Sequence, residues 1–347
     1  MATVAAFAWN APVMADDMVE DKLATMEQRI KYLEERVASQ DQMIVEKESE
    51  IAGLADGWFN SVEIGGAIKV ELIGESPAEG DSGTRTNLRK VEIGIAAAIN
   101  DEWGGEVVVE NDDGTIALAD AFLIYEPADG GLSAAIGQQT LPFGVYDTNM
   151  ITDPLTKDLG ETAYTSLVLG GEAAQFGWTA FTYYADEEAR VDGFGAGVSM
   201  AMEGDDSAFG VDVVWISDIG DSGGLSGMFD DDVPGLSASA RGSVGPVFAM
   251  VELVTALDAE GSNAEPSAWH TEAAYGFDLM GREATLAIAA GGTEDGEAAE
   301  LAETLMLLGI SVGISEGIGI GLEWKQEEGY GADDADDAVT VQLAAEF

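Results

Sequence analysis

Between Val19 and Leu54 the apolar residues recur at steps of four and three, and from Trp58 onward they recur at every second position. The first rhythm runs through Val19, Leu23, Met26, Ile30, Leu33 and Val37 and continues at Ile44, Ile51 and Leu54, which is the seam of a coiled-coil helix. Leu23, Ile30, Val37, Ile44 and Ile51 share one core position, and Met26, Leu33 and Leu54 share the other. Gln40 and Lys47 fall on the second core position, where a polar side chain costs stability but can fix register and strand number. Residues 16–56 are therefore expected to form a helix that self-associates through Leu23, Ile30, Leu33, Val37, Ile44 and Ile51. A lone helix lying on the domain that follows is the alternative. Gly53 and Gly57 give the helix an end and the chain a flexible exit.

The second rhythm has period two. Val62, Ile64, Ile68, Val70 and Leu72 alternate with Glu63, Gly65, Ala67, Lys69 and Glu71, and the pattern returns at 90–99, 209–215, 236–241 and 318–325. Each such strand has one greasy face and one small or polar face, which fits a soluble sandwich as well as a membrane barrel. Turns and strand count decide between them. Turn residues divide 57–347 into roughly sixteen strands of about ten residues, the even number that a single-chain transmembrane antiparallel β-barrel needs. Short connections at 100–102, 126–130, 170–171, 244–246, 280–282 and 315–317 interleave with longer acidic ones at 76–85, 140–161, 218–233, 258–266, 292–303 and 329–337. The connections near Asp112 and Asp186 are short exceptions. Trp58 and Trp103 fall at lower strand ends and Trp215, Trp269 and Trp324 near outer ends, as two aromatic girdles would. Val339, Val341, Leu343 and Ala345 alternate up to Phe347, the kind of ending that outer-membrane assembly machinery reads.

Composition narrows the class further. The chain has 347 residues, 44 of them Gly and 8 Pro, with no Cys, so many short strands with tight turns suit it better than a helical bundle. The apolar stretch MATVAAFAWNAPVMA reads as a signal peptide over 1–15, cleaved after Val13-Met14-Ala15; a frayed apolar tail is the alternative. Its basic leading residues are missing, so the true start is expected upstream. The net charge is −52, from 66 acids against 14 bases, which excludes nucleic acid as a partner. Acidic runs such as 230–232 and 333–337 lack EF-hand spacing and read as a solvated outer surface.

Catalytic, cofactor and metal chemistry find no support. The single histidine, His270, has Trp269 and Thr271 on the opposite face, so it is expected in the barrel lumen beside Glu272 and Ala274, without a nucleophile to serve. Gly193, Gly195 and Gly197 lack the spacing of a dinucleotide loop and leave room inside a barrel. The expected lumen face carries Glu63, Lys69, Lys90, Glu92, Asp212, Arg241, His270 and Lys325, while Ile64, Val70, Ile93 and Val213 face lipid. Four inward cations, Lys69, Lys90, Arg241 and Lys325, are too few for a phosphate ladder.

The segment GQQTLPFGVYDTNMITDPLTKDLGET, residues 137–162, is the third outer connection and the richest in apolar residues. Leu141, Pro142, Phe143, Tyr146, Met150, Ile151 and Leu155 suit burial, and a loop of this length is usually functional. It is expected to fold inward and narrow the pore at Phe143, Tyr146, Asp147, Asp153, Lys157, Asp158 and Glu161, with Leu141, Phe143 and Ile151 pinning it to the wall. These 26 residues resemble the signature segment of the LbtU-family siderophore porins, and the plan of signal, coil and barrel resembles that family over the whole chain. The resemblance implies an outer-membrane barrel with a short N-terminal coiled coil that takes part in ferric siderophore uptake. A homotrimer in outer-membrane lipid, with the coil in the periplasm, passing a small hydrophilic solute, is the expected assembly. A general, weakly cation-selective porin and a structural tether are the alternatives. The ~290 residues after Trp58 are too few for both a plug and a 22-stranded energy-coupled receptor.

Overall fold

A strand with one apolar and one polar face needs a hydrogen-bonding partner on each edge, and a sheet can supply all of them only by closing on itself. A computed structural model describes residues 61–347, apart from 79, 113–114, 129, 185–190, 192, 221, 223, 226–227, 230–231, 258–264 and 333. The signal segment and the coiled coil lie outside the described residues. Sixteen antiparallel strands follow one another round a closed barrel. They are β1 (Ser61–Ser76), β2 (Gly83–Ala98), β3 (Trp103–Asp112), β4 (Thr115–Tyr125), β5 (Ser133–Thr140), β6 (Ala163–Ala173), β7 (Phe176–Tyr184) and β8 (Gly193–Gly204). The series continues through β9 (Ser207–Ile216), β10 (Gly235–Val244), β11 (Val247–Ala256), β12 (Ser267–Asp278), β13 (Glu283–Glu294), β14 (Thr304–Ser315), β15 (Ile318–Glu328) and β16 (Asp336–Glu346). One short helix, α1 (Leu155–Gly160), lies in the loop between β5 and β6.

Closure joins β16 to β1, in register from Ala67↔Glu346 to Ser76↔Asp337. Phe347 extends the seam, exchanging backbone hydrogen bonds of 3.1 and 2.9 Å with Gly66. Its ring occupies the space that a side chain at Gly66 would need.

Two turns fall elsewhere than the sequence reading puts them. Gly170 and Gly171 lie inside β6, and the strand reverses at Ala174-Gln175, where Ala174 adopts φ 57. Gly171 is small for a different reason: a Cβ there would sit 2.7 Å from the indole Nε1 of Trp178 on the neighbouring strand. The hairpin at Asp205-Asp206 carries no glycine or proline and leaves no turn signal. Residues 137–140 belong to β5, so the third outer loop is 141–162.

The alternation sorts as expected between faces. Ile64, Val70, Ile93 and Val213 are 67, 36, 49 and 37% exposed on the outside, and inward neighbours such as Ala67 and Val108 are buried. Trp103 packs on Tyr125 (5.0 Å between rings) at one rim and Phe194 on Trp215 (5.5 Å) at the other. Among the described residues no helix is long and apolar enough to cross a membrane; the apolar belt belongs to the strands. A substitution of Ile93 by Arg should cost up to ~2–4 kcal/mol in refolding titrations, if the residue lies near the bilayer midplane. Glu92→Gln, on the inner face, should leave folding unchanged. Equal folding defects at both positions would contradict the register.

In β2 the register shifts by one residue, because Val70 pairs with Leu88 and Lys69 with Lys90. Arg89 is the extra residue of this β-bulge, and the bulge lets Arg89 and Lys90, adjacent in sequence, face the lumen together. A matching shift in β4, where Val108 pairs with Asp120 and Val109 with Leu118, turns Ala119 and Asp120 inward.

Candidate functional site

The loop 141–162 crosses the lumen and is held against the far wall by three glutamates. Glu252 of β11 accepts hydrogen bonds from the backbone N–H of Val145 (2.7 Å) and Tyr146 (3.3 Å) and from the hydroxyl of Thr156 (2.7 Å). Glu272 of β12 accepts from the Thr148 hydroxyl (2.6 Å), the Asn149 N–H (2.9 Å) and the Asn149 side-chain amide (2.6 Å). Glu323 of β15 accepts from the N–H of Ile151 (2.6 Å) and Thr152 (3.1 Å) and from the Thr152 hydroxyl (2.6 Å). The loop thus docks every third residue onto a carboxylate, with charge-assisted bonds that are stronger than neutral ones. Positive φ at Gly144 (86°) and Tyr146 (55°) bends the chain so that successive N–H groups converge on Glu252. Such backbone is uncommon for a tyrosine and persists only where its surroundings enforce it.

Apolar packing then fills one side of the barrel. Leu141, Phe143, Leu155 and Leu159 of the loop are at most 6% exposed and join Phe181, Tyr183 and Val254 of the wall in one buried cluster. Small inward residues make the room. Met150 lies against Gly309, Ile151 against Gly321 and Leu155 against Gly291, while the rings of Tyr183 and Phe181 cover Gly193 and Gly195. The acidic connection after β9, read from sequence as an outer loop, also folds inward: Ile219, Leu225 and Val233 are buried, and Ser222 donates its hydroxyl hydrogen to the carbonyl of Leu159 (2.7 Å). Helix α1 is thereby clasped between wall and loop.

What stays open is the side bounded by β15, β16 and β1 to β4. A cavity of ≈ 610 Å³ there is lined from the wall by Lys69, Arg89, Lys90, Glu92, Glu110 and Asp120 and from the loop by Asp153, Lys157, Asp158 and Glu161. On the outer side it adjoins a cavity of ≈ 700 Å³ that shares Arg89, Asp153 and Asp158 and adds Arg85, Lys325 and Glu327. On the inner side, cavities of ≈ 830 and ≈ 630 Å³ lie beneath the loop.

Most cations of this region are matched by acids. Arg89 bonds Asp153 (2.9 Å), Lys90 meets Glu92 (2.5 Å) and Glu110 (3.8 Å), and Lys157 lies 3.3 Å from Asp153 and 3.8 Å from Glu161. Arg85 pairs with Glu75 (2.8 Å) and Lys325 with Glu327. Asp120 and Asp158 have no salt bridge among the described residues, so the opening carries an acidic surplus. Burial pushes the Asp158 carboxyl up to about 6, with Asp153 beside it adding repulsion. Burial likewise raises Glu161, against the pull of Lys157.

The residues named from sequence do not all meet. Asp153, Lys157, Asp158 and Glu161 converge on the opening with Lys69, Lys90 and Glu92. Asp147 stands apart, 3.3 Å from Arg241, which also reaches Asp212 at 3.8 Å. Phe143 is 1% exposed and Tyr146 packs on the same cluster, so both brace the loop and neither lines the opening. His270 points inward but is 0% exposed beneath α1, where the sequence reading expected a lumen-lining side chain. Glu63 lies exposed low on β1, opposite Ala96. Sequence reasoning missed Arg85 and Arg89 as inward cations and the docking role of Glu252, Glu272 and Glu323. Three acids on inward positions of strands were the available signal; what they hold depends on the path of the loop.

No family profile matches the chain. A protein of Coxiella burnetii described as a UPF0422 protein is 27% identical over 220 residues, covering 56% of this chain and 47% of that one; the chain thus spans about half the length of this curated relative. Among solved structures, the outer membrane channel DcaP of Acinetobacter baumannii matches with a TM-score of 0.59 at 14% identity, over 83% of this chain and 97% of that one. The anion-selective porin from Comamonas acidovorans matches at 0.61 and 11%, over 83% and 99%. The trimer form of OmpT, an outer membrane protein of Vibrio cholerae, matches at 0.53 and 14%, over 83% and 99%. The likeness is one of fold, the closed barrel of outer-membrane porins.

Proposed function

We propose that the chain is a porin of the bacterial outer membrane, a passive channel for small hydrophilic solutes with a weak preference for cations. The observation that carries this reading is the eccentric opening, bounded by the docked loop and the β1–β4 wall, with its acidic surplus. A pore of sixteen strands leaves an aqueous channel unless something narrows it, and charges at a narrowing act in a reduced dielectric, where salt screens them less. The similar Comamonas porin is anion-selective; here matched cations and spare carboxylates favour the opposite sign. A homotrimer with the coil in the periplasm belongs to the same reading.

A ferric siderophore is the solute implied by the resemblance of 137–162 to the LbtU family. The grouping of Lys69, Arg89 and Lys90 on one side of the opening favours it, since these offer donors to an anionic chelate. Uptake of a ferric siderophore into proteoliposomes at a rate above that of a sugar of equal size supports this second reading, and equal rates oppose it.

The selectivity reading has a direct test. Neutralising Asp153 and Asp158 together (D153N with D158N) should lower cation preference in reversal-potential measurements. In the wild type the preference should also fall as pH drops through about 6, because Asp158, whose carboxyl is raised to about 6, then takes up a proton. A preference that ignores both changes would remove these residues from the selectivity site.

A further inference from the structure

His270 stands between two of the glutamates that dock the loop. It is the cross-strand partner of Glu252 and lies two residues before Glu272 on the same face of β12. Its Nε2 is 3.5 Å from a carboxylate oxygen of Glu272, its side chain is fully buried, and neither ring nitrogen makes a hydrogen bond. Glu252 and Glu272 are themselves 0 and 3% exposed, and among the described residues His270 is the one base within ion-pair reach of either. Burying two carboxylates without a counter-charge is costly. Imidazole is the side chain whose ordinary charge change falls between pH 5 and 8.

We infer that His270 is a positioning residue for the loop: as imidazolium it supplies the counter-charge that keeps Glu252 and Glu272 ionised and accepting, so that pH sets how firmly the loop is held. The other groups around it leave that role to His270. From the loop, Tyr146 brings a buried hydroxyl without a hydrogen-bond partner, whose own ionisation burial pushes far out of range. Helix α1 presents Leu155 and Thr156, while its Lys157 and Asp158 line the opening. Strand β13 presents Gly291 opposite His270. The loop should be gripped most firmly near pH 5.5 and loosen as the imidazolium loses its proton.

The test is hydrogen exchange of 141–162 in the full-length barrel in detergent, expressed as protection relative to an unfolded peptide at each pH. Wild-type protection should fall about tenfold between pH 5.5 and 8, the scale of a lost hydrogen bond to a charged group. His270→Gln should give low protection at both values, and His270→Lys, with a permanent charge, high protection at both. Should H270Q fail to fold, Glu272→Gln, which removes the carboxylate in place of the imidazole, should flatten the same slope. Asp158→Asn should leave the slope intact, since that carboxyl titrates at the opening. A wild type without a slope, or an H270Q or E272Q barrel that keeps it, overturns the inference. The inference deepens the channel reading but its exchange readout does not require conduction, so a folded barrel that fails to conduct would sink the porin proposal alone.

Discussion

Deleting Tyr146 to Leu155 should raise single-channel conductance at least about twofold, while the barrel still folds and closes. The deleted stretch crosses the lumen and contributes donors to all three docking glutamates, yet none of its residues pairs with a strand of the barrel. Closure rests on the sixteen strand pairings, which leave no edge for the loop to protect. Freed of their donors, Glu252, Glu272 and Glu323 would face lumen water, which hydrates carboxylates readily. Unchanged conductance from a correctly folded deletion barrel would mean that the loop does not set the width of the pore.

Glu252→Ala should release the first docking point and, combined with Glu272→Ala and Glu323→Ala, lift the loop from the wall. Glu252 accepts the N–H groups of Val145 and Tyr146 and the hydroxyl of Thr156, and both Glu252 and Thr156 are wholly buried. A buried donor left without an acceptor costs about 1–3 kcal/mol, so the single substitution should weaken the local hold by roughly 3 kcal/mol or more. Lys157, on the helix that this docking supports, provides the readout. Trypsin should leave Lys157 intact in the folded wild type and cut there in the folded triple variant. If cleavage does not change, apolar packing of Leu155 and Leu159 holds the loop unaided and the glutamates are spectators.

The barrel was legible because period-two alternation repeats through nearly every strand, so a misplaced turn or two did not disturb the count. Gly170-Gly171 reads as a turn by composition, yet those glycines clear space for Trp178, and the chain reverses instead at Ala174, where contacts impose a left-handed backbone that no residue type advertised. The bulge at Arg89 was hidden for a similar reason: an extra residue breaks alternation without leaving a chemical mark, and it placed a second cation beside Lys90. Loop 141–162 declared itself through its apolar content. Which of its charges meet was beyond sequence, because Asp147 and Asp153 are six residues apart and end on different walls, beside Arg241 and Arg89. The docking glutamates show the same limit. Alternation gives their direction, and only the loop's path decides that they are buried acceptors in place of wet lumen acids.

The central claim is that an acidic opening between the docked loop and the β1–β4 wall conducts ions. The most direct test is the reversal potential of the folded, purified protein in a planar bilayer under a tenfold salt gradient at pH 7.5. Discrete conductance steps reversing on the cation-selective side are the predicted result. A folded barrel that gives no steps, or one that reverses on the anion-selective side, would contradict it.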